Sequence, residues 1–168
     1  MGQIVEDAAL ASRAYAVIGK VGSQYSDPDR IETARTDFRK SIDSIIEEDA
    51  IKCVLDTKGK EETGVDVGTG LGSTCTDETG NLVKSFLSRD FAVTVNRKYQ
   101  GAKPERVATS YHRVGSTGAF MVEAVQLEFG REERQLKRDK VVNDLAELVG
   151  LLNVKVGFVP SETLTTRE

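Results

Sequence analysis

The sequence predicts an α+β fold, and three observations carry that prediction. Apolar residues recur at helical spacing through the first 49 residues, β-rich alternating runs fill residues 50–130, and one long, heavily charged amphipathic segment covers 131–153. The expected architecture is two N-terminal helices, an antiparallel sheet of about four to five strands, and a long C-terminal amphipathic helix, all in a single domain. At 168 residues the chain is of ordinary one-domain size.

Each element follows from its own pattern. Ile4, Ala8, Ala11, Tyr15 and Ile18 lie on one helical face, and Gly19 and Gly22 end it. Asp27 as N-cap with Pro28 at the first helical position opens a second helix, whose stripe of Ile31, Ala34, Phe38, Ile42, Ile45 and Ile46 runs to Asp49. The two make a helical hairpin over residues 1–49. The run "AIKCVLDT" reads as a strand, and Val65 and Val67 as a second strand that "TKGKEE" turns back onto it. Residues 57–81 form a long loop rich in glycine and threonine, with "NLVKSFLSRD" as a helical turn or the lead into the next strand. Alternation then predicts strands at Phe91–Asn96 and Val107–His112, followed by the long strand "AFMVEAVQLEF". In the last helix Val141, Leu145, Leu148 and Leu152 share a face, and residues 154–168 are a tail.

Composition narrows the function classes. The net charge of −4 argues against general nucleic-acid or membrane attraction. The charge is uneven, however: Lys and Arg number 10 against 16 Asp and Glu through Leu87, but 13 against 11 from Ser88 onward. The longest apolar runs are shorter than the ~20 residues that span a bilayer, and the acidic N-terminus lacks the basic start of a signal peptide. A cytoplasmic location, or one inside an assembled virion or particle, is therefore expected. Cys53 and Cys75 with the lone His112 cannot complete a zinc site, so no metal is expected and the cysteines read as apolar fillers. His112 reads as a sheet-surface residue, and the pairs Glu47–Glu48 and Glu132–Glu133 as solvated helix surface. No catalytic residue is assigned.

Two local features could bind ligands. The hairpin "NRKYQGAKPER" places Arg97, Lys98, Lys103 and Arg106 near Tyr99, a cation-and-aromatic combination suited to single-stranded nucleic acid. The run "VDVGTGLG" from Val65 to Gly72 resembles the first motif of class I methyltransferases, which implies that Asp66, Gly68, Gly70 and Gly72 line S-adenosylmethionine. It also resembles the phosphate loop of actin-like ATPases and sugar kinases.

The order of hairpin strands, "FMVEAVQLEF", the charged turn "GREER" and "DKVVNDLAELVGLL", together with "NRKY", resembles the C-terminal half of single-stranded RNA bacteriophage coat proteins over residues 88–168. That resemblance implies a sheet covered by a partner subunit's helices and facing the genome. Without tryptophan or a complete catalytic signature, the chain is expected to be a self-assembling, homo-oligomeric structural protein, such as a virion coat or particle component, with no cofactor and no enzymatic activity. The alternative is a small nucleotide- or S-adenosylmethionine-binding enzyme built on the loop at 65–72.

Overall fold

The computed structural model describes residues 1–19, 37–49, 51–101 and 107–155. The α+β class holds: helices flank a five-stranded sheet, and a long helix ends the described chain. The elements are α1 (Gly2–Ser12), α2 (Asp37–Glu48), β1 (Cys53–Gly59), β2 (Val65–Gly68), α3 (Asp77–Leu87), β3 (Val93–Val95), α4 (Val107–Tyr111), β4 (Arg113–Val114), β5 (Phe120–Phe129), α5 (Arg131–Leu136) and α6 (Arg138–Lys155). A short 3-10 turn at Gly70–Gly72 lies between β2 and α3.

The sheet is mixed rather than wholly antiparallel, and its order is β1-β5-β2-β3, with β4 pairing the start of β5. Strand β5 is parallel to β1 and antiparallel to β2, while β2 and β3 run parallel on either side of helix α3. The predicted β1–β2 hairpin does not form, because the ten-residue β5 inserts between the two strands. Its length and apolar content make it the best partner for both.

Register divides the sheet into two faces. Val65 stands opposite Phe129 and Val93, Val67 opposite Leu127, and Leu55 opposite Val125. These side chains join Val83, Phe86 and Leu87 of α3, Ile4 and Ala8 of α1, and Val141, Leu145, Leu148 and Leu152 of α6 in the main core. The face of α6 expected from the sequence is thus the buried one. The other face meets α2 and α4, where Ile42, Val107 and Tyr111 pack with Val54.

Several local expectations are revised. Helix α1 stops at Arg13, which takes a left-handed conformation, so Tyr15 and Ile18 lie beyond it. Asp27, Pro28, Ile31 and Ala34 fall outside the described residues. Residues 77–87 are a full helix: Thr76 accepts from the Thr79 amide as N-cap, Asp77 and Glu78 sit in the first turn, and Val83, Phe86 and Leu87 are buried. Residues 107–111 are helical, not a strand, and Val107, Ala108 and Tyr111 occupy one helical face. A pattern only five residues long fits either period. The segment 131–155 breaks at Lys137, leaving Leu136 exposed between α5 and α6.

Leu148 is fully buried in the main core. Leu148→Ala is expected to cost about 2–5 kcal/mol, read as a lowered denaturation midpoint with unchanged slope.

Candidate active site on the polar face of the sheet

Because side chains alternate along a strand, the pairing that builds the apolar core also fixes what lies opposite it. Lys58 pairs with Glu128, Glu128 with Asp66, and Asp66 with Thr94, which makes one polar row across four strands. One step along, Asp56 pairs with Gln126 and Gln126 with Gly68. Asp56, Asp66, Gln126 and Glu128 are all buried, Gln126 completely. Burying ionised groups costs several kcal/mol each unless they are paired, so each of the three carboxylates on this covered face needs partners.

Each polar group is held in a specific way. Lys58 lies 3.0 Å from Asp56. Asp66 Oδ1 accepts from Thr94 Oγ1 at 3.1 Å, and its Oδ2 accepts from the backbone amides of Lys98 at 3.2 Å and Tyr99 at 3.3 Å. Gln126 Nε2 donates to Glu128 Oε1 at 2.6 Å, whereas Gln126 Oε1 has no hydrogen-bond partner among the described residues.

The segment 96–101 crosses this face as a strap. Asn96, at φ 53°, accepts from the Thr69 amide at 2.9 Å and donates to Thr69 Oγ1 at 2.8 Å. The Gly70 amide donates to the Gln100 carbonyl at 2.7 Å, and Thr109 Oγ1 donates to the Gly101 carbonyl at 2.5 Å. Gly68 permits the crossing, since a Cβ there would stand 2.5 Å from the Tyr99 carbonyl oxygen. Gly101, at φ 68°, turns the strap over Gln126 in a conformation that side-chain-bearing residues rarely adopt.

The residues assigned from sequence fall in different places. Asp66 and Gly68 belong to the polar face and the strap, Gly70 is tucked against Ser73 and Thr74, and Gly72 faces open space. The four do not converge on one cradle: Asp66 holds backbone amides of its own chain, and the Gly68 approach is already filled by protein. Arg97 is exposed at the end of β3, and Lys98 is ion-paired with Glu62 beside the Tyr99 ring. Lys103 and Arg106 lie outside the described residues. His112 sits at the C-terminal end of α4, not on a strand, with its Nδ1 2.7 Å from the Thr109 carbonyl oxygen.

A second buried carboxylate lies where β5, α3 and α6 meet. Glu123 Oε1 accepts from the Thr76 amide at 2.9 Å and Thr76 Oγ1 at 2.6 Å, and Oε2 accepts from Thr79 Oγ1. Lys155 Nζ stands 3.5 Å from Oε2. Burial pushes the Glu123 carboxyl up, but the hydrogen bonds from Thr76 and Thr79 and the charge of Lys155 outweigh it and hold the group below its ordinary range. Beside this cluster, burial first and the Glu123 charge second push the Cys53 and Cys75 thiols up to about 12, which makes them inert fillers at neutral pH.

No family model and no curated protein matches the chain. Among solved structures it is similar to N-formylglutamate amidohydrolase from Ralstonia eutropha JMP134, at 18% identity and a TM-score of 0.47. The match covers 75% of this chain and 50% of that one, so the chain spans half the length of that protein.

The expectation of a non-enzymatic structural protein, virion or capsid component is corrected here. The solved structure that the chain is similar to is an enzyme. In addition, the stretch read as coat-like hairpin strands contains helix α4, and β3 pairs in parallel with β2. No helix among the described residues is long and apolar enough to cross a membrane.

Sequence reasoning passed over Gln126, Glu128 and Glu123. The signal of Gln126 and Glu128 was present in "EAVQLEF": a strand that needs a cover on both faces carries polar residues two apart, on what becomes a buried side, while Glu123 falls on the opposite face.

The sign of the Glu123 effect gives a pH prediction. A carboxyl whose folded pKa is depressed adds stability above its unfolded value, near 4.5, and that contribution is lost as pH falls through the folded value. Stability measured by urea denaturation is expected to drop as the pH falls below about 5, and Glu123→Gln to flatten that drop while lowering stability at neutral pH.

Proposed function

We propose that the chain is a hydrolase whose chemistry is carried by Glu128 on the polar face of the sheet. The observation that supports this reading is the buried row Lys58–Glu128–Asp66–Thr94 beside Asp56 and Gln126. Acidic and basic side chains gathered on a covered face and held there by hydrogen bonds are characteristic of sites that need oriented acids and bases.

Glu128 is placed for general-base work. Gln126 Nε2 fixes one carboxylate oxygen at 2.6 Å. In the proposed reaction the carboxylate takes a proton from a water molecule as the water oxygen bonds to the substrate's carbonyl carbon. The same proton then passes to the leaving group as the scissile bond breaks. Asp66 serves a different purpose: its carboxylate is occupied by Thr94 and two strap amides, so it positions the cover of the site. Lys58 and Asp56 form an ion pair at the edge of the row.

A panel of small N-acyl amino acids and their ester counterparts tests the reading, with N-formylglutamate, the substrate in the name of the similar enzyme, as its first member. Glu128→Gln keeps the shape and removes the base, so hydrolysis is expected to fall about 10²- to 10⁴-fold. The thermal midpoint is expected to stay level or rise, because a charge kept for chemistry is not kept for stability. A variant that retains activity, or a wild-type chain that hydrolyses no member of the panel, contradicts the assignment.

A further inference from the structure

The side chain of Gln126 has one end satisfied and one end open. The amide nitrogen faces Glu128 Oε1, to which it donates at 2.6 Å. The amide oxygen is then turned the other way, fully buried and without a hydrogen-bond partner among the described residues. On that side is the strap turn: a methyl group on Gly101 would come within 3.5 Å of Gln126 Oε1. The Gly101 carbonyl oxygen is itself occupied by Thr109 Oγ1, and no hydrogen-bond donor reaches Gln126 Oε1 among the described residues.

An orphaned buried acceptor is destabilising, and replacing it with an apolar side chain would remove the cost. Its retention beside Glu128 has a chemical use. Resting on the hydrolase reading above, we infer that Gln126 is the substrate-orienting residue of this face, accepting through Oε1 a hydrogen bond from an N–H or O–H donor on the bound substrate. Glu128 holds the amide in the accepting orientation, so one pair of side chains supplies both the base and the specificity contact. Substrates that present a donor beside the scissile carbonyl are selected, and isosteres that present a lone pair there are rejected because two acceptors then face each other.

The test uses matched pairs from the same panel that differ only in N–H against ester oxygen. Binding to the wild type, in which Glu128 still holds the Gln126 amide in place, is read by thermal shift, and turnover is read as separate KM and kcat. The donor-bearing member of each pair is expected to bind at least about tenfold more tightly and to show the advantage mainly in KM. Gln126→Met, which conserves volume but has no amide oxygen, is expected to lose that preference while remaining folded. Equal binding of both members by the unmutated Gln126, or a preference that survives in Gln126→Met, overturns the inference. Loss of the preference is a different outcome from loss of hydrolysis in Glu128→Gln, so the two readings fail separately.

Discussion

The fold turns on the need to cover strand β5 from both sides. Its central position makes it partner to β1, β2 and β4, and from Val122 to Phe129 it is buried on both faces. Val125, Leu127 and Phe129 point into the core built by α1, α3 and α6, and that packing supplies the stability. Ala124, Gln126 and Glu128 point the other way, toward α2, α4 and the strap, and are equally buried. Once the apolar register is set, the polar register follows, since a slip of one residue would exchange the two faces.

The polar side resolves its burial cost only in part. Asp66 is fully served by Thr94 and the amides of Lys98 and Tyr99, which explains why the strap can lie flat on the end of β2. Asn96 and Gly70 tie the same segment to the β2–α3 connection. The Glu123 cluster is better satisfied still: hydroxyls, a helix N-terminal amide and Lys155 all meet one carboxylate, which clamps α3 and α6 to β5. Gln126 differs from both in having an acceptor left over. A stabilising network closes on itself, whereas a site leaves a group for something else to complete.

Much of the architecture was legible in the sequence where patterns were long. The second helix through Phe38 and Ile42, the strand at Cys53, the long strand to Phe129 and the α6 stripe all carry periodicity over several turns or pairs. Short segments misled: Val107–Tyr111 alternates over five residues and is a helix, and α3 was obscured by Gly80, whose place is explained only by its packing on Thr69. The break at Lys137 has no proline or glycine to announce it. The pairing of β1 and β2 with β5 is a long-range choice that no local turn signal contains. The site was legible in part. Asp66 and Gly68 were singled out, though for a cofactor loop, and Gln126 and Glu128 were read as part of an apolar strand because nothing local says which side of β5 a polar residue will be buried on.

The central claim is that the Gln126–Glu128 pair is kept for chemistry and not for folding. Its most direct test is the double substitution Gln126→Leu with Glu128→Leu, which replaces the hydrogen-bonded pair with apolar side chains of similar size. The account predicts a folded protein with a thermal midpoint equal to or above that of the wild type and no hydrolytic activity. A midpoint lowered by about 5 °C or more, or loss of the folded state, would contradict it by showing that the pair holds the sheet together.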